Sequence, residues 1–154
     1  MSKKMTNTYK SSSEEQQEAE KEILQNFVRK YKLIVDQVIF PTKFPIQIDG
    51  IYTNRNGQRV WVEVYAHQEK LKGAQPKKIC TDILKLITAK KMLGLSVEKW
   101  ILFGSEEAKS FVDGESWYHE IIKNFDIHLE TGELSPQTIQ KIQAAQHRPK
   151  MVNA

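Results

Sequence analysis

The stretch QIDGIYTNRNGQRVWVEVYAH, residues 47–67, holds two runs of alternating residues around an Asn-Gly pair, and its register decides the fold. A two-residue loop, Asn56-Gly57 in a type I′ turn, would set Asp49 opposite Val64 and put Asp49 and Glu63 on opposite sides of the sheet. A three-residue loop, Arg55-Asn56-Gly57 with Gly57 in the left-handed position of a bulge, sets Thr53 opposite Arg59, Ile51 opposite Trp61 and Asp49 opposite Glu63. A one-residue slip exchanges faces, so the side-chain pattern separates the two. In the three-residue register one face collects Ile46, Ile48, Tyr52, Val60, Val62, Val64 and Ala66. The other collects Gln47, Asp49, Ile51, Arg59, Trp61, Glu63, Tyr65 and His67. The first is a clean core face and the second a polar-aromatic face, whereas the two-residue register mixes them. The pattern therefore predicts Asp49 and Glu63 side by side.

Asp-Gly is itself a turn signal, and a tight turn at Asp49-Gly50 would make Asp49 purely structural. Alternation continues through Tyr52, which argues for an extended strand instead. Glu63 sits between valines, where an acid is expected to be paired or ligating. Trp61, on the acid face, is expected to pack beneath the first helix rather than to stack on a base.

Working outward, KLIVDQVIF (32–40) is rich in β-branched residues and closed by Pro41, so it reads as a strand. Before it, SEEQQEAEKEILQNFVRKY (13–31) reads as a helix opened by a Ser13–Gln16 capping box. Ile23, Leu24, Phe27, Val28 and Tyr31 form its buried stripe, and Glu20 lies at the N-terminal end of that stripe. After the hairpin, Pro76 in a first turn and Gly94 as a stop bound a second helix. Ile79, Ile83, Leu86, Ile87 and Met92 make its apolar side, with Lys78, Asp82 and Lys85 as a polar stripe alongside. KWILFG (99–104) is the next strand, and Ser105 caps a helical region interrupted near Asp113-Gly114. DIHLE (126–130) is the last strand, and Ser135-Pro136 starts a C-terminal helix. The expected fold is α/β (α+β), in the order α-β-β-β-α-β-α-β-α. A mixed sheet carries an antiparallel three-stranded meander and is flanked by helices. The expected organisation is a disordered tail over 1–12, one domain over 13–148 and a flexible tail over 149–154.

With 154 residues, 40% apolar and 27% charged, the chain is sized for one domain with a substantial core. No apolar run approaches the ~20 residues of a membrane span. The basic start has no apolar middle, so it does not read as a secretory signal. A lone cysteine, Cys80, excludes an internal disulfide framework and fits a reducing cytoplasm. A net charge of +4 permits a polyanionic partner, and much of the excess lies in KLKGAQPKK, residues 70–78. No phosphate-cradling glycine loop, nucleophile elbow or zinc-type cluster is present in the sequence, and His119, His128 and His147 lie on separate elements.

Two carboxylates facing each other across strands repel unless something positive lies between them, and hard divalent cations with oxygen ligands fill that role. Helix, meander with Asp49 in its second strand, Glu63-Val64-Tyr65 in the third, then helix and strand resembles the PD-(D/E)XK nuclease superfamily, from about Glu14 to Glu130. The resemblance implies that Asp49 and Glu63 bind Mg²⁺ or Mn²⁺ and that the reaction is phosphodiester hydrolysis of nucleic acid, DNA ahead of RNA. It also asks for a lysine two residues after the second acid, and Tyr65 stands there instead. Members sometimes supply the lysine from the following helix or loop, which makes Lys78 the first candidate and Lys70 the second. Asp49, Glu63, Lys78, Lys70 and Tyr65 are thus the candidate catalytic set, with Glu20 as an extra metal-associated acid. Lys70, Lys72, Lys77, Lys78 and His67 are the expected nucleic-acid contacts, and Gln75 and Asp82 would line the cleft. The alternatives are an inactive relative that only binds nucleic acid or a protein partner, and a protein-interaction module. A homodimer is compatible with each.

Overall fold

The computed structural model describes residues 2–43 and 45–147, with side chains from 14 onward. Its elements are α1 (Ser2–Tyr31), β1 (Ile34–Val35), β2 (Gly50–Thr53), β3 (Arg59–Tyr65), α2 (Gln75–Leu93), β4 (Val97–Phe103), α3 (Glu106–Asp113), α4 (Trp117–Asn124), β5 (Ile127–Thr131) and α5 (Pro136–Gln146). The five strands form one mixed sheet in the order β1-β2-β3-β4-β5. The first three are antiparallel, and β3, β4 and β5 run parallel. Parallel neighbours need a crossover, which α2 supplies after β3 and the α3–α4 pair after β4.

The hairpin takes the three-residue loop. Thr53 pairs with Arg59 and Ile51 with Trp61. Gly57 N–H donates to Asn54 O at 3.0 Å, and Gly57 has φ +77°, a left-handed value that glycine adopts without strain. The Asn54 carboxamide oxygen accepts from the amides of Asn56 and Gln58 at 2.9 and 3.0 Å. The side chain of Asn54 thus replaces missing ladder bonds and holds the register.

That register separates two cores. Val60, Val62, Val64 and Leu102 pack against Ala19, Ile23 and Phe27 of α1 and Ile142 of α5. On the other side Trp61 packs with Leu86 and Ala89 of α2, and Tyr65 with Ile79, Ile83 and Phe103. The side expected to be polar-aromatic is therefore roofed by α2, whose end is the expected Gly94, at φ +64°.

Several expectations change. Trp61 lies under α2 beside Phe40, not under α1, and is fully buried, so no base can reach it. Ile46 and Ile48 pack with Trp61 rather than with Val62, because β2 begins only at Gly50 and the alternation does not extend back through Asp49. The strand expected over 32–40 is reduced to Ile34–Val35, at the sheet edge. Both of its side chains are exposed, so no core holds a longer run in register. The interruption expected near Asp113-Gly114 is present, but it makes two separate helices, α3 and α4, where the expected order counted one. The element order is therefore α-β-β-β-α-β-α-α-β-α. Ser13 lies inside α1 rather than at its start, so helix covers residues 2–12 of the stretch read as a tail over 1–12, where side chains fall outside those described. The expected tail over 149–154 lies outside the described residues. Among the described residues no helix is long and apolar enough to cross a membrane.

Candidate functional site

Asp49 stands immediately before β2, one residue outside the ladder, and Glu63 lies in the second half of β3. The two acids brace each other through backbone. Asp49 N–H donates to Glu63 Oε2 at 2.8 Å, and Val64 N–H donates to Asp49 Oδ2 at 2.9 Å. The arrangement brings both carboxylates together on the α2-covered side. Glu63 is 2% exposed, a charge that needs compensation at that depth.

The compensation comes from α2. Lys85 Nζ lies 2.8 Å from Glu63 Oε1 and 3.4 Å from Asp82 Oδ1. Tyr65 donates its phenol hydrogen to Asp82 Oδ2. Lys78 Nζ sits 5.7 Å from the centre of the Tyr65 ring, a cation–π distance. Positions 78, 82 and 85 recur at helical spacing, so one face of α2 lays lysine, aspartate and lysine along the odd-numbered side of β3.

The charges do not balance. Burial raises the Glu63 carboxyl to about 7, with the Asp49 charge adding to the rise and the Lys85 ammonium drawing it back. Burial likewise raises Asp49, against the Val64 amide and Lys85. Glu20, reaching in from α1, is raised to about 7 by burial and by the Asp49 charge, with Lys78 opposing. Burial would lower Lys85, but Glu63 and Asp82 outweigh it and hold the ammonium above its ordinary value. The Tyr65 phenol is pushed far up by burial and by Asp82, so it remains a donor throughout the physiological range. Two lysines, Lys78 and Lys85, thus face four carboxylates, Glu20, Asp49, Glu63 and Asp82.

The remaining candidates fall into two groups. Lys70, Lys72, Lys77 and Lys78 are exposed around the start of α2 and form a rim. His67 and Gln75 brace the loop. Gln75 Oε1 accepts from Lys72 N–H at 3.0 Å, which turns its amide nitrogen to His67 Nδ1 at 3.2 Å. His67 Nδ1 is then the acceptor, and burial lowers the imidazole's pKa, with Glu69 opposing. The sequence reading favours Lys78 and Lys70 for the acids, yet Lys85 is the lysine paired with Glu63. Its signal was the spacing of the α2 stripe: two helical turns beyond Lys78.

Oxygen donors of this kind suit Mg²⁺ or Mn²⁺ in chemistry. Their arrangement does not fit the ion as it stands. Both Glu63 oxygens are engaged, one by an ammonium and one by an amide, and Asp49 Oδ2 is held by Val64. Among the described residues no group of three or more His, Cys, Asp and Glu side chains is placed to hold a metal ion.

No protein-family model and no curated protein matches the chain. Among solved structures the chain is similar to a repair endonuclease from Pyrococcus abyssi, at 15% identity and a TM-score of 0.38. The match covers 73% of this chain and 46% of that one, so the chain spans less than half the length of the protein it resembles.

Proposed function

We propose that the chain is a nuclease-type domain that binds nucleic acid and whose acid centre is partly neutralised by its own lysine. The observation that carries this reading is Lys85 Nζ, 2.8 Å from Glu63 Oε1 and 3.4 Å from Asp82 Oδ1. An ammonium at that place removes charge that would repel a phosphate backbone. Beside it, the exposed Lys70, Lys72, Lys77 and Lys78 offer cationic contacts to phosphates without reading sequence. DNA is the preferred polymer in this proposal, on the resemblance of Asp49 and Glu63-Val64-Tyr65 to the nuclease motifs.

Mg²⁺- or Mn²⁺-dependent phosphodiester hydrolysis is the second reading, favoured by the surplus of carboxylates over lysines around Asp49. It asks Lys85 to yield Glu63 to a divalent ion.

Fluorescence anisotropy with single- and double-stranded DNA and RNA, across salt concentrations, in EDTA and in Mg²⁺ or Mn²⁺, separates the two. Binding is expected to persist in EDTA, and Lys70→Ala, Lys72→Ala and Lys77→Ala are each expected to reduce the salt slope by about 1. Cleavage on the same samples, lost in Asp49→Asn and Glu63→Gln, would establish the second reading instead. No salt-sensitive binding to any of the four polymers would overturn both.

A further inference from the structure

We infer that Lys85 is a tethered cation that competes with free divalent ions for the acid pair, and that Tyr65, acting through Asp82, is the positioning residue that keeps it there. This deepens the reading of a lysine-neutralised centre and rests on it.

The inference starts from a chain of contacts. Glu63 Oε1 meets Lys85 Nζ at 2.8 Å, and Lys85 Nζ meets Asp82 Oδ1 at 3.4 Å. Asp82 Oδ2 accepts the Tyr65 hydroxyl hydrogen. Each Asp82 oxygen has a different partner, so the carboxylate bridges a strand residue to a helix residue and cannot rotate without losing one of them. Lysine alone is a poor fixed cation: its four-carbon stem carries ~2 kcal/mol of rotamer entropy, and isolated pairs near solvent contribute little. The Lys85 side chain is 29% exposed, so it has room to swing outward. A second carboxylate fixed by a buried phenol restricts that swing.

Tyr65 is placed for this role by strand geometry. It lies two residues after Glu63, on the same side of β3. It is 7% exposed and stacked on Phe103 at 6.1 Å, with Lys78 over the ring, so its hydroxyl has a defined position under α2. Asp82 is one helical turn before Lys85, close enough for one carboxylate to hold both groups. Tyr65 therefore fills a strand position with an anchor, while the positive charge descends from the helix above. A divalent ion approaching Asp49 and Glu63 meets an ammonium already bonded to Glu63.

The test uses the full chain, with Mn²⁺ itself as probe. Binding is measured by calorimetry and by electron paramagnetic resonance for wild type, Tyr65→Phe, Lys85→Met and the double variant. Side-chain ¹⁵N relaxation reports the order of the Lys85 ammonium. Lys85→Met is expected to bind Mn²⁺ ~10-fold more tightly than wild type, because two like charges lose their fixed counter-ion. Tyr65→Phe is expected to lower the order of Lys85 and tighten Mn²⁺ binding ~3-fold, with no further gain in the Lys85→Met background. Should Lys85→Met not fold, Lys85→Gln makes the same comparison. Unchanged Mn²⁺ affinity in the Lys85 variants overturns the competing-cation role. A Tyr65→Phe effect that persists without Lys85, or leaves Lys85 ordered, overturns the positioning role. Wild-type protein that binds no nucleic acid defeats the proposed function and leaves the Mn²⁺ comparison standing, so the two failures are distinguishable.

Discussion

Val62 and Glu63 are neighbours on β3 and almost equally buried, at 0% and 2% exposure, yet they belong to different regions. Val62 points into the layer made with α1 and α5, a cluster of buried hydrophobic side chains where fit matters most. Glu63 points under α2, where Lys85, Asp82 and Tyr65 continue the network. A strand with period two can serve both at once, because alternate side chains never share a face. The comparison teaches that burial by itself does not mark a site. What distinguishes the α2 side is burial combined with unbalanced charge.

The comparison can be broken first at the seam between the two sides. Gly104 closes β4 so tightly on the neighbouring chain that an added Cβ would lie 2.4 Å from Ala66 O and 2.5 Å from Ala66 C. Its N–H donates to Tyr65 O at 2.6 Å, and its own carbonyl accepts from Gln68 at 2.6 Å, so the backbone has little room to yield. Gly104→Ala is expected to cost ~4 kcal/mol or more in urea denaturation, disrupting both sides together. A stable Gly104→Ala variant would mean that the two sides are not locked at this point.

Smaller changes sharpen the contrast. Val62→Ala is expected to cost ~2 kcal/mol through lost contacts and a residual cavity, while Mn²⁺ and nucleic-acid affinities stay unchanged. Lys85→Met is expected to cost ~1–2 kcal/mol at about pH 8, where Glu63 must then either stay buried without its partner or take up a proton, and Glu63→Gln in the same chain should restore most of it. Equal stability of the single and double variants would show that the pair is energetically idle.

The smallest expected effect is a slope. Glu20 has its carboxyl raised from 4.5 to about 7 in the folded chain, chiefly by burial. A raised acid binds its proton more tightly folded than unfolded, so its contribution is fully present below the unfolded value of 4.5 and is lost as pH rises through about 7. Thermal unfolding followed from about pH 5 to about pH 8 should show Tm falling, and Glu20→Gln should flatten that fall. A profile identical in both proteins would place the pH dependence elsewhere, with Glu63 the next group to replace.

Much of the architecture was legible because it is local. The Asn-Gly loop, the alternation of Val60, Val62 and Val64 against Trp61, Glu63 and Tyr65, and the Pro76 and Gly94 ends of α2 each depend on neighbouring residues. Backbone stereochemistry and period carry that information directly. The edge was harder to read. Ile34, Val35 and Ile39 are β-branched, but no layer covers them, and propensity without burial does not extend a strand. Asp49 was placed opposite Glu63 by register alone, although β2 itself begins one residue later. The lysine was not legible in the same way. Lys70, Lys78 and Lys85 are alike in sequence, and the choice among them depends on how far along α2 the helix crosses β3.

From its own order of residues the chain determined the loop and the register of Gly50–Thr53 against Arg59–Val62, because period-two alternation there has one solution that segregates the two faces. Only the packing of α2 across β3 decided that Lys85 reaches Glu63, that Asp82 joins Lys85 to Tyr65, and that Lys78 rests on a ring. Those contacts link residues 17 and 22 positions apart, set by the height and angle of one element over another. No local preference encodes that distance.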